Sequence, residues 1–232
     1  MNILITGGSR GIGKGIALEL NKAGHDLLLV AKTEANLLVA QSEMENQDLK
    51  IELFDCDLSK ESEIDRLLQY SKDIDFVPDI LIFDAGYGRM ESLIESNFQD
   101  LSDIMDLNVY HVYHTVKRYY PALKLSGKAR IYIIGSTAST EAYTLAPLYG
   151  LSKWTLRGYA LTLRQELMKD NIGVTLIHPG VTKTDQWNGI DLPQNAFILP
   201  SDIGKLINST LLLSEHALVE ELTVRPVSGD LQ

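Results

Sequence analysis

The sequence predicts an α/β fold, a doubly wound parallel sheet of seven strands with helices on both faces, as a single domain over residues 1–232. Short apolar runs alternate with longer amphipathic stretches, which is the pattern of parallel strands joined by crossover helices. A glycine-rich turn directly follows the first apolar run. No repeat, low-complexity tract or linker divides the chain, so we expect all crossovers to belong to one sheet.

Seven apolar runs predict the strands, and we expect all but the last to be buried on both faces. They lie near Asn2 to Thr6, Asp26 to Ala31, Lys50 to Asp55, Asp79 to Asp84, Ala129 to Gly135, Val174 to Pro179 and Leu222 to Pro226. Amphipathic stretches predict helices around Gly11 to Ala23, Thr33 to Asn46, Ser59 to Ser71, Asn97 to Leu125, Tyr149 to Asp170 and Ser201 to Leu213. Gly24 is placed to cap the first helix, and Ser59 to begin the third.

Composition and charge exclude several classes of function. The 31 acidic residues outnumber the 21 basic ones, and the net charge of -10 argues against a nucleic-acid partner. No apolar run approaches the roughly 18 to 20 residues of a membrane-spanning helix, so we expect no membrane partner. Cys56 is the single cysteine, and the chain opens on a strand instead of a leader, which predicts a cytoplasmic protein.

The predicted topology concentrates the interesting residues at one edge of the sheet. Ligands of doubly wound sheets bind beyond the carboxyl ends of the strands. We therefore expect one crevice to be bordered by the loops that follow Thr6, Ala31, Asp55, Asp84, Gly135 and Pro179. The least regular segment, residues 181–200, is predicted to be a substrate loop over this crevice.

The glycine-rich turn lies between the first strand and the first helix. In that context glycines let the backbone approach a pyrophosphate at a helix N-terminus, whereas the same stretch elsewhere indicates only a tight turn. The spacing is T-G-x-x-x-G-x-G. The residues expected to hold the dinucleotide here are Gly7, Ser9, Arg10, Gly11, Ile12 and Gly13.

Two side chains four residues apart predict acid–base chemistry. Tyr149 and Lys153 share one face at the start of a helical pattern, an arrangement that is also typical of a simple amphipathic surface helix. Lowering the pKa of a tyrosine by about three units requires about 4 kcal/mol, much of which an adjacent ammonium supplies. Ser136, at the end of the fifth strand, and Asn108, a poor helix former inside the fourth helix, complete the candidate set.

These motifs resemble the short-chain dehydrogenase/reductase family over nearly the whole chain. The glycine fingerprint matches at every fixed position, and Asn108, Ser136, Tyr149 and Lys153 match the family's catalytic tetrad in order and spacing. The resemblance implies a Rossmann fold and hydride transfer between NADP(H) and a small carbonyl or alcohol substrate. Tyr149 is then the general acid and base, Ser136 orients the substrate, Lys153 lowers the pKa of Tyr149 and holds the nicotinamide ribose, and Asn108 positions a water.

Charge predicts that the cofactor is NADP(H). Ala31 ends the second strand where NAD-preferring relatives carry an acid, while Lys32 and Arg10 place cations near the expected 2′-phosphate. We expect Thr33 to lie at the same site. The alternative is that Arg10 and Lys32 are solvated surface charges. Glu34 is placed as a ribose-binding acid would be, but a position in the first turn of a helix explains it equally well.

The resemblance also implies the remaining cofactor contacts. These are Asp57 and Leu58 at the adenine, Ala85 and Gly86 after the fourth strand, and Pro179, Gly180 and Thr184 after the sixth. Asp84 is expected there too, although the family has asparagine in its place. An ionised aspartate only accepts hydrogen bonds, so Asp84 must find donors or hold a proton.

Substrate and partners are less constrained. Five residues are candidates for an apolar or aromatic substrate wall: Tyr87, Met90, Tyr143, Leu145 and Trp187. The resemblance implies a homo-dimer or homo-tetramer. No metal is expected, and His111 and His114 are predicted to be surface or interface residues. A second class of function remains open at this point, a cofactor-binding regulatory protein with the same fold and little turnover.

Overall fold

The computed structural model describes residues 1–187, 189 and 193–229. Within them, seven strands form one parallel sheet in the order β3-β2-β1-β4-β5-β6-β7. The strands are β1 Asn2–Thr6, β2 Asp26–Ala31, β3 Ile51–Asp55, β4 Ile80–Phe83, β5 Arg130–Ile134, β6 Gly173–Pro179 and β7 Glu221–Val224. The predicted fold class is confirmed. The strand order reverses between β1 and β4, which places a crevice at their carboxyl ends.

Helices cover both faces of this sheet. They are α1 Gly11–Lys22, α2 Glu34–Ser42, α3 Glu61–Asp73, α4 Phe98–Met105, α5 His111–Ser126, α6 Pro147–Leu167 and α7 Pro200–Leu211. Gly24 follows α1 with a φ of 90°, as the sequence predicts for a left-handed cap. In the part of the chain that the structure describes, no helix combines the length and hydrophobicity needed to cross a membrane.

The core has two layers because side chains alternate across the strands. Leu4 of β1 packs against the face covered by α3, α5 and α6, whereas Ile3 and Ile5 pack against α1, α2 and α7. All three side chains are fully buried. Burying each such side chain stabilises the fold by about 1.5–3 kcal/mol, so the sheet is held from both faces.

The two edge strands differ from the five central ones. β7 is half-exposed, as predicted. β3 was expected to be buried on both faces, and that prediction is wrong: Ile51, Glu52 and Leu53 are half-buried and Asp55 is exposed. The reason is topological, because β3 pairs with β2 alone and its other side has no neighbouring strand.

Local hydrogen bonds move two helix ends from their predicted positions. The second helix ends at Ser42 instead of Asn46, because the side chain of Asn21 both donates to the Asn46 carbonyl and accepts from its amide, each at 2.9 Å. The third helix begins at Glu61 instead of Ser59, because the Ser59 hydroxyl donates to Asp57 Oδ1 at 2.7 Å.

The predicted long helix between Asn97 and Leu125 is divided. α4 ends at Met105, a π-helical turn spans Asp106–Tyr110, and α5 follows from His111. The capping box of Asn97 and Asp100 fixes the start of α4. A π-helical turn inserts one residue relative to an α-helix, so it changes which way the following side chains point. Asn108 lies in this turn.

Helices α1 and α7 cross at a very short distance, which two glycines permit. A Cβ added at Gly15 lies 2.4 Å from Pro200 Cβ and 2.6 Å from the Pro200 carbonyl carbon. A Cβ added at Gly204 lies 2.8 Å from Glu19 Cβ. This crossing aligns α1 behind the glycine-rich turn.

We expect Gly15→Ala to lower the free energy of unfolding by about 1–3 kcal/mol, since the methyl group forces the two helix backbones apart. Gly158→Ala is the matched control, because Gly158 is also inside a helix but no atom lies within 4 Å of its added Cβ. The control should gain about 0.5–1 kcal/mol from helix propensity. Urea denaturation with a comparison of m-values measures both, and equal effects in the two variants would contradict the assigned contact.

Candidate active site

The structure brings all four predicted catalytic residues to the carboxyl edge of the sheet. Ser136 follows β5, Tyr149 and Lys153 lie in the first two turns of α6, and Asn108 lies in the π-helical turn. The Lys153 ammonium is 5.5 Å from the centroid of the Tyr149 ring, and the Ser136 side chain lies close enough to Tyr149 to act on its pKa. A Cβ added at Gly86 would lie 3.0 Å from Asn108 Oδ1 and 3.8 Å from Lys153 Nζ, so a side chain at this position would crowd Asn108.

Asn108 connects the loop after β4 to the start of α6 through side-chain hydrogen bonds. Its Oδ1 accepts from the Tyr87 amide at 2.9 Å, and its Nδ2 donates to the Tyr87 carbonyl at 2.9 Å and to Ser152 Oγ at 2.8 Å. The Ser152 hydroxyl in turn donates to the Tyr149 carbonyl at 2.8 Å. Sequence reasoning missed Ser152, which is fully buried beside Lys153 and carries no motif of its own.

Lys153 is a buried cation. Its ammonium donates to the Ile134 carbonyl at 3.0 Å, at the end of β5. Burial lowers the pKa of Lys153 to about 8, while the negative charge of Asp84 acts in the opposite direction. The ammonium is therefore retained at neutral pH but is readily deprotonated in mildly alkaline solution.

Tyr149 behaves differently from the sequence prediction. Burial raises its pKa, the hydrogen bond with Ser136 lowers it, and the charge of Asp84 raises it further. The net direction is upward, whereas the sequence predicts a lowering by Lys153. The physical reason is that a phenolate loses its hydration in this cleft next to a carboxylate. Tyr149 is consequently protonated at neutral pH and is a proton donor.

Asp84 stands where the family has asparagine, and as an ionised carboxylate it needs a hydrogen-bond donor. The structure provides one. Asp84 Oδ2 accepts from the Gly13 amide at 2.7 Å, near the N-terminus of α1. Burial raises the pKa of Asp84 to about 6, against the opposing effects of Lys153 and the Gly13 hydrogen bond. The carboxyl group therefore links the glycine-rich turn to the charge of Lys153.

The glycine-rich turn forms a cradle that fits a dinucleotide phosphate. Gly7 and Gly11 have φ values of 75° and 55°, and a Cβ at Gly13 would lie 2.3 Å from the Gly7 carbonyl oxygen. Helix α1 begins at Gly11 with neither a side-chain cap nor an acidic residue in its first turn. Its positive dipole end therefore suits an anion, as the sequence predicts. Of the three predicted amides there, that of Gly13 is used by Asp84, which leaves those of Gly11 and Ile12 as the candidate donors.

Cations lie beside this cradle, in part as predicted. A cavity of about 210 Å³ is lined by Ser9, Arg10, Lys14, Asn36, Val39 and Asp185. Arg10 was predicted here, but Lys14 and Asn36 were not, because they become neighbours only when α1 and α2 pack. Lys32 instead donates to Asp57 Oδ2 at 2.9 Å, with its side chain 76% exposed. Burial acts to raise the pKa of Asp57, but Ser59 and Lys32 hold it at about 2.

The other predicted cofactor residues also border the crevice. A Cβ added at Gly11 would lie 3.4 Å from the methyl carbon of Thr184. The loop after β6 therefore lies next to the glycine-rich turn. The Gly180 amide donates to Val224 at 2.7 Å. The Leu58 side chain is buried in the core, so only its backbone is available to an adenine. Thr33 precedes α2, Pro179 ends β6, and Ala85 follows Asp84.

A mostly apolar cavity lies beside the start of α6. It has a volume of about 500 Å³ and is lined by Ser92, Leu93, Ile94, Ala142, Tyr143, Thr144, Pro147, Gly150, Leu151 and Trp154. Of the five residues predicted for the substrate wall, Tyr143 lines it, and its ring lies 6.3 Å from that of Tyr149.

The remaining four wall candidates lie elsewhere. Tyr87 is held by Asn108, and Trp187 packs on the ring of Phe197 at 5.7 Å. Met90 and Leu145 are largely exposed. In the predicted substrate loop, Thr182 and Ile198 form a bridge, while residues 188 and 190–192 lie outside the described residues.

The two histidines of α5 have different surroundings. His111 is buried, with Nε2 3.5 Å from Thr6 Oγ1, and burial lowers its pKa to about 3, so its prediction as a surface or interface residue is wrong. His114 lies 3.3 Å from Glu61. Across residues 1–187, 189 and 193–229, no group of three His, Cys, Asp or Glu side chains is arranged to hold a metal ion.

Comparison with known proteins places this geometry in context. Residues 1–195 match the family model described as short chain dehydrogenase. Sepiapterin reductase from Chlorobaculum tepidum is 28% identical over 99% of this chain and 98% of its own length. Diacetyl reductase [(S)-acetoin forming] from Staphylococcus epidermidis is 29% identical over 81% of this chain and 74% of its own.

A solved structure is similar over the same length. Alcohol dehydrogenase from the archaeon Thermococcus sibiricus, complexed with 5-hydroxy-NADP, superimposes with a TM-score of 0.89 and 25% identity. The match covers 99% of this chain and 98% of the other chain. The similarity therefore extends through the sheet, the glycine-rich turn and the segments that follow β6.

We expect Asp84→Asn to change how stability depends on pH. The folded-state pKa of about 6 lies above the value of about 4 for an unfolded aspartate, so the folded protein binds the extra proton in this interval. The stabilisation that this proton gives to the folded state is fully present below about pH 4 and is lost as the pH rises through about 6. Asparagine keeps an acceptor for Gly13 without this loss, so the variant should gain about 1–2 kcal/mol relative to wild type between pH 4 and pH 8.

Urea denaturation at pH values between 4 and 8 measures this difference in unfolding free energy. Asp48→Asn, at an exposed aspartate, is the control for removing one negative charge. Curves for wild type and Asp84→Asn that stay parallel over the whole range would show that Asp84 has no raised pKa.

Proposed function

Because the chain belongs to the short chain dehydrogenase family, we propose that it is an NADPH-dependent oxidoreductase that transfers hydride between NADP(H) and a carbonyl or alcohol substrate. The observation that carries the proposal is the convergence of Ser136, Tyr149 and Lys153 on one cleft at the end of the glycine-rich turn. The bound nicotinamide supplies the hydride, so the chain itself must orient the carbonyl and move a proton.

Tyr149 is proposed to protonate the substrate oxygen. Its hydroxyl lies near the Ser136 side chain, and two hydroxyl donors aimed at one point would stabilise an oxygen that becomes negative during reduction. The raised pKa keeps the proton on Tyr149 at neutral pH. This protonation state suits carbonyl reduction, and the two curated relatives above are both named as reductases.

Lys153 and Asn108 are proposed to complete the proton path. The Lys153 ammonium is anchored on the Ile134 carbonyl, close to the Tyr149 ring, where it stabilises a phenolate as the proton leaves. It has two further N–H donors for the nicotinamide ribose. Asn108 Nδ2 donates one N–H to the Tyr87 carbonyl and the other to Ser152 Oγ. We therefore propose that Asn108 holds the loop after β4 in place, and that the relay water binds at this loop.

The residues around the glycine-rich turn are proposed to hold NADP(H). The amides at the start of α1 face the pyrophosphate, Asp57 and Leu58 border the adenine, and Thr184 lies beside the nicotinamide end. Arg10 and Lys14 line a polar cavity next to Ser9, and no acid occupies the end of β2 at Ala31. This charge pattern favours a 2′-phosphate over free ribose hydroxyls, and the similar alcohol dehydrogenase is complexed with a derivative of NADP.

We also propose that the protein acts as a homo-dimer or homo-tetramer. The π-helical turn and helices α5 and α6 present Tyr110, Tyr113 and Trp154, each close to half exposed. Such aromatic surface suits contact with a second copy. The alternative is a regulatory protein with the same fold and little turnover, and NADPH binding without turnover of any carbonyl substrate would favour it.

We expect Tyr149→Phe to reduce kcat by about 10²- to 10⁴-fold, since it removes the proton donor and keeps the ring. The Kd for NADPH, measured by fluorescence titration, should stay within about twofold. Tyr159→Phe, ten residues along the same helix, is the control and should retain activity. Activity is measured by NADPH oxidation with a panel of ketones and aldehydes, and full activity of Tyr149→Phe would refute the proposed mechanism.

We expect Arg10→Ala and Lys32→Ala to weaken NADPH binding more than NADH binding, each by about tenfold for NADPH. The reason is that only NADPH carries the 2′-phosphate whose charge these side chains would neutralise. Lys22→Ala is the control, because Lys22 pairs with Glu45 at the other end of α1. Equal losses of affinity for NADPH and NADH would show that Arg10 and Lys32 do not contact the 2′-phosphate.

A further inference from the structure

A buried polar network contacts the main chain of Ser136. His178 of β6 and Ser139 of the turn after β5 are both almost fully buried. His178 Nδ1 lies 2.8 Å from Ser139 Oγ and 3.2 Å from the Ser136 carbonyl oxygen. The Ser139 hydroxyl donates to that same carbonyl at 2.5 Å. The carbonyl of Ser136 therefore accepts hydrogen bonds from two side chains, and the proposed chemistry uses neither of them.

The pattern of donors and acceptors determines the tautomer of His178. A carbonyl oxygen only accepts, and the single hydroxyl proton of Ser139 is given to that oxygen. Nδ1 must therefore carry a proton, which it donates to Ser139 Oγ and to the Ser136 carbonyl. Burial lowers the pKa of His178, so the ring is neutral at neutral pH and Nε2 is unprotonated.

The other end of the imidazole faces a charged pair. His178 Nε2 lies 3.6 Å from Glu221 Oε1, beyond hydrogen-bond distance, and is buried without a partner. Arg157 of α6 holds both carboxylate oxygens of Glu221, at 3.2 and 3.3 Å, and also donates to the Ser139 carbonyl at 3.4 Å. The ring thus lies between the Ser136 turn and an ion pair that joins α6 to β7.

The His178 ring packs closely against the backbone of Gly135 at the end of β5. A Cβ added at Gly135, the residue before Ser136, would lie 3.3 Å from His178 Nδ1 and 3.1 Å from the Ile177 carbonyl oxygen. The Gly135 amide donates to that carbonyl at 2.7 Å. Glycine at this position therefore lets the imidazole approach the backbone of the next residue.

We propose that His178, acting through Ser139, is a positioning residue that fixes the main chain of Ser136 and thereby aims the Ser136 hydroxyl at Tyr149 and the substrate oxygen. The Ser136 hydroxyl accepts from the Ala138 amide at 3.1 Å, so the orientation of the side chain follows that of the turn. The hydrogen bonds from His178 and Ser139 to the Ser136 carbonyl hold this turn in place. This inference rests on the proposed function only in giving Ser136 a catalytic task.

The first test needs no turnover. Tyrosine labelled with ¹³C at Cζ reports hydrogen bonding of each hydroxyl, and Tyr149→Phe identifies the Tyr149 resonance. We expect His178→Leu to move this resonance toward its position in Ser136→Ala, because a displaced Ser136 no longer bonds to Tyr149. His178→Asn should return it toward wild type, since the asparagine amide places an N–H close to where Nδ1 was. A Tyr149 resonance unchanged by His178→Leu would overturn the proposal.

A matched control separates positioning from general damage to the strand. Thr175 lies on the same strand, is equally buried and donates to a carbonyl, that of Val219 at 2.6 Å. Thr175→Val should lose stability without moving the Tyr149 resonance. If His178→Leu does not fold, Ser139→Ala removes one of the two bonds to the Ser136 carbonyl with a smaller change, and the same resonance decides the result.

The second test measures kinetics with any carbonyl substrate that the ketone panel identifies. His178→Leu and Ser139→Ala should lower kcat by about 10- to 100-fold with little change in KM or in NADPH affinity, and His178→Asn should recover most of the loss. A loss confined to KM, or shared equally by Thr175→Val, would overturn the positioning role. Absence of turnover in the wild type, with the resonance shifts present, would refute the proposed function and leave the link between His178 and Ser136 established.

Discussion

The contact between the Asp84 carboxylate and the Gly13 amide is the constraint on which the site depends. It ties the start of α1 to the end of β4 at the point where the strand order reverses, and it requires that neither Gly7 nor Gly13 carries a side chain. The same carboxylate raises the pKa of Lys153 against the effect of burial and opposes ionisation of Tyr149. A single acid therefore sets both the shape of the phosphate cradle and the electrostatics of the catalytic pair.

Much of this arrangement could be predicted from the sequence, because its strongest signals are local. The alternation of apolar runs fixes strands and helices, and the glycine spacing marks the turn after β1. Tyr149, Lys153, Ser136 and Asn108 could be selected as candidates, since each lies in a short stretch that can be recognised in the sequence, and the structure brings them to one edge of the sheet. These local patterns and the parallel topology together bring the candidate residues to one edge of the sheet.

The features that could not be predicted depend on contacts between distant segments. The pairing of Lys32 with Asp57 and the approach of Lys14 and Asn36 to Ser9 follow from helix packing. The upward shift in the pKa of Tyr149 follows from burial beside Asp84, and burial is a property of the assembled fold. Ser152, Ser139 and His178 carry no motif, so their bonds to the catalytic segments are visible only in three dimensions.

The π-helical turn has a consequence for the phase of the helix that follows it. Because each residue of an α-helix advances the chain by about 100° around the axis, the one extra residue in Asp106–Tyr110 offsets the whole of α5 by that angle relative to α4. The offset buries His111 against Thr6 and leaves Tyr113 at the surface. In a straight helix of the same sequence the side chains of α5 would be rotated by about 100° relative to the sheet, so the placement of Asn108 and the packing of α5 cannot change independently.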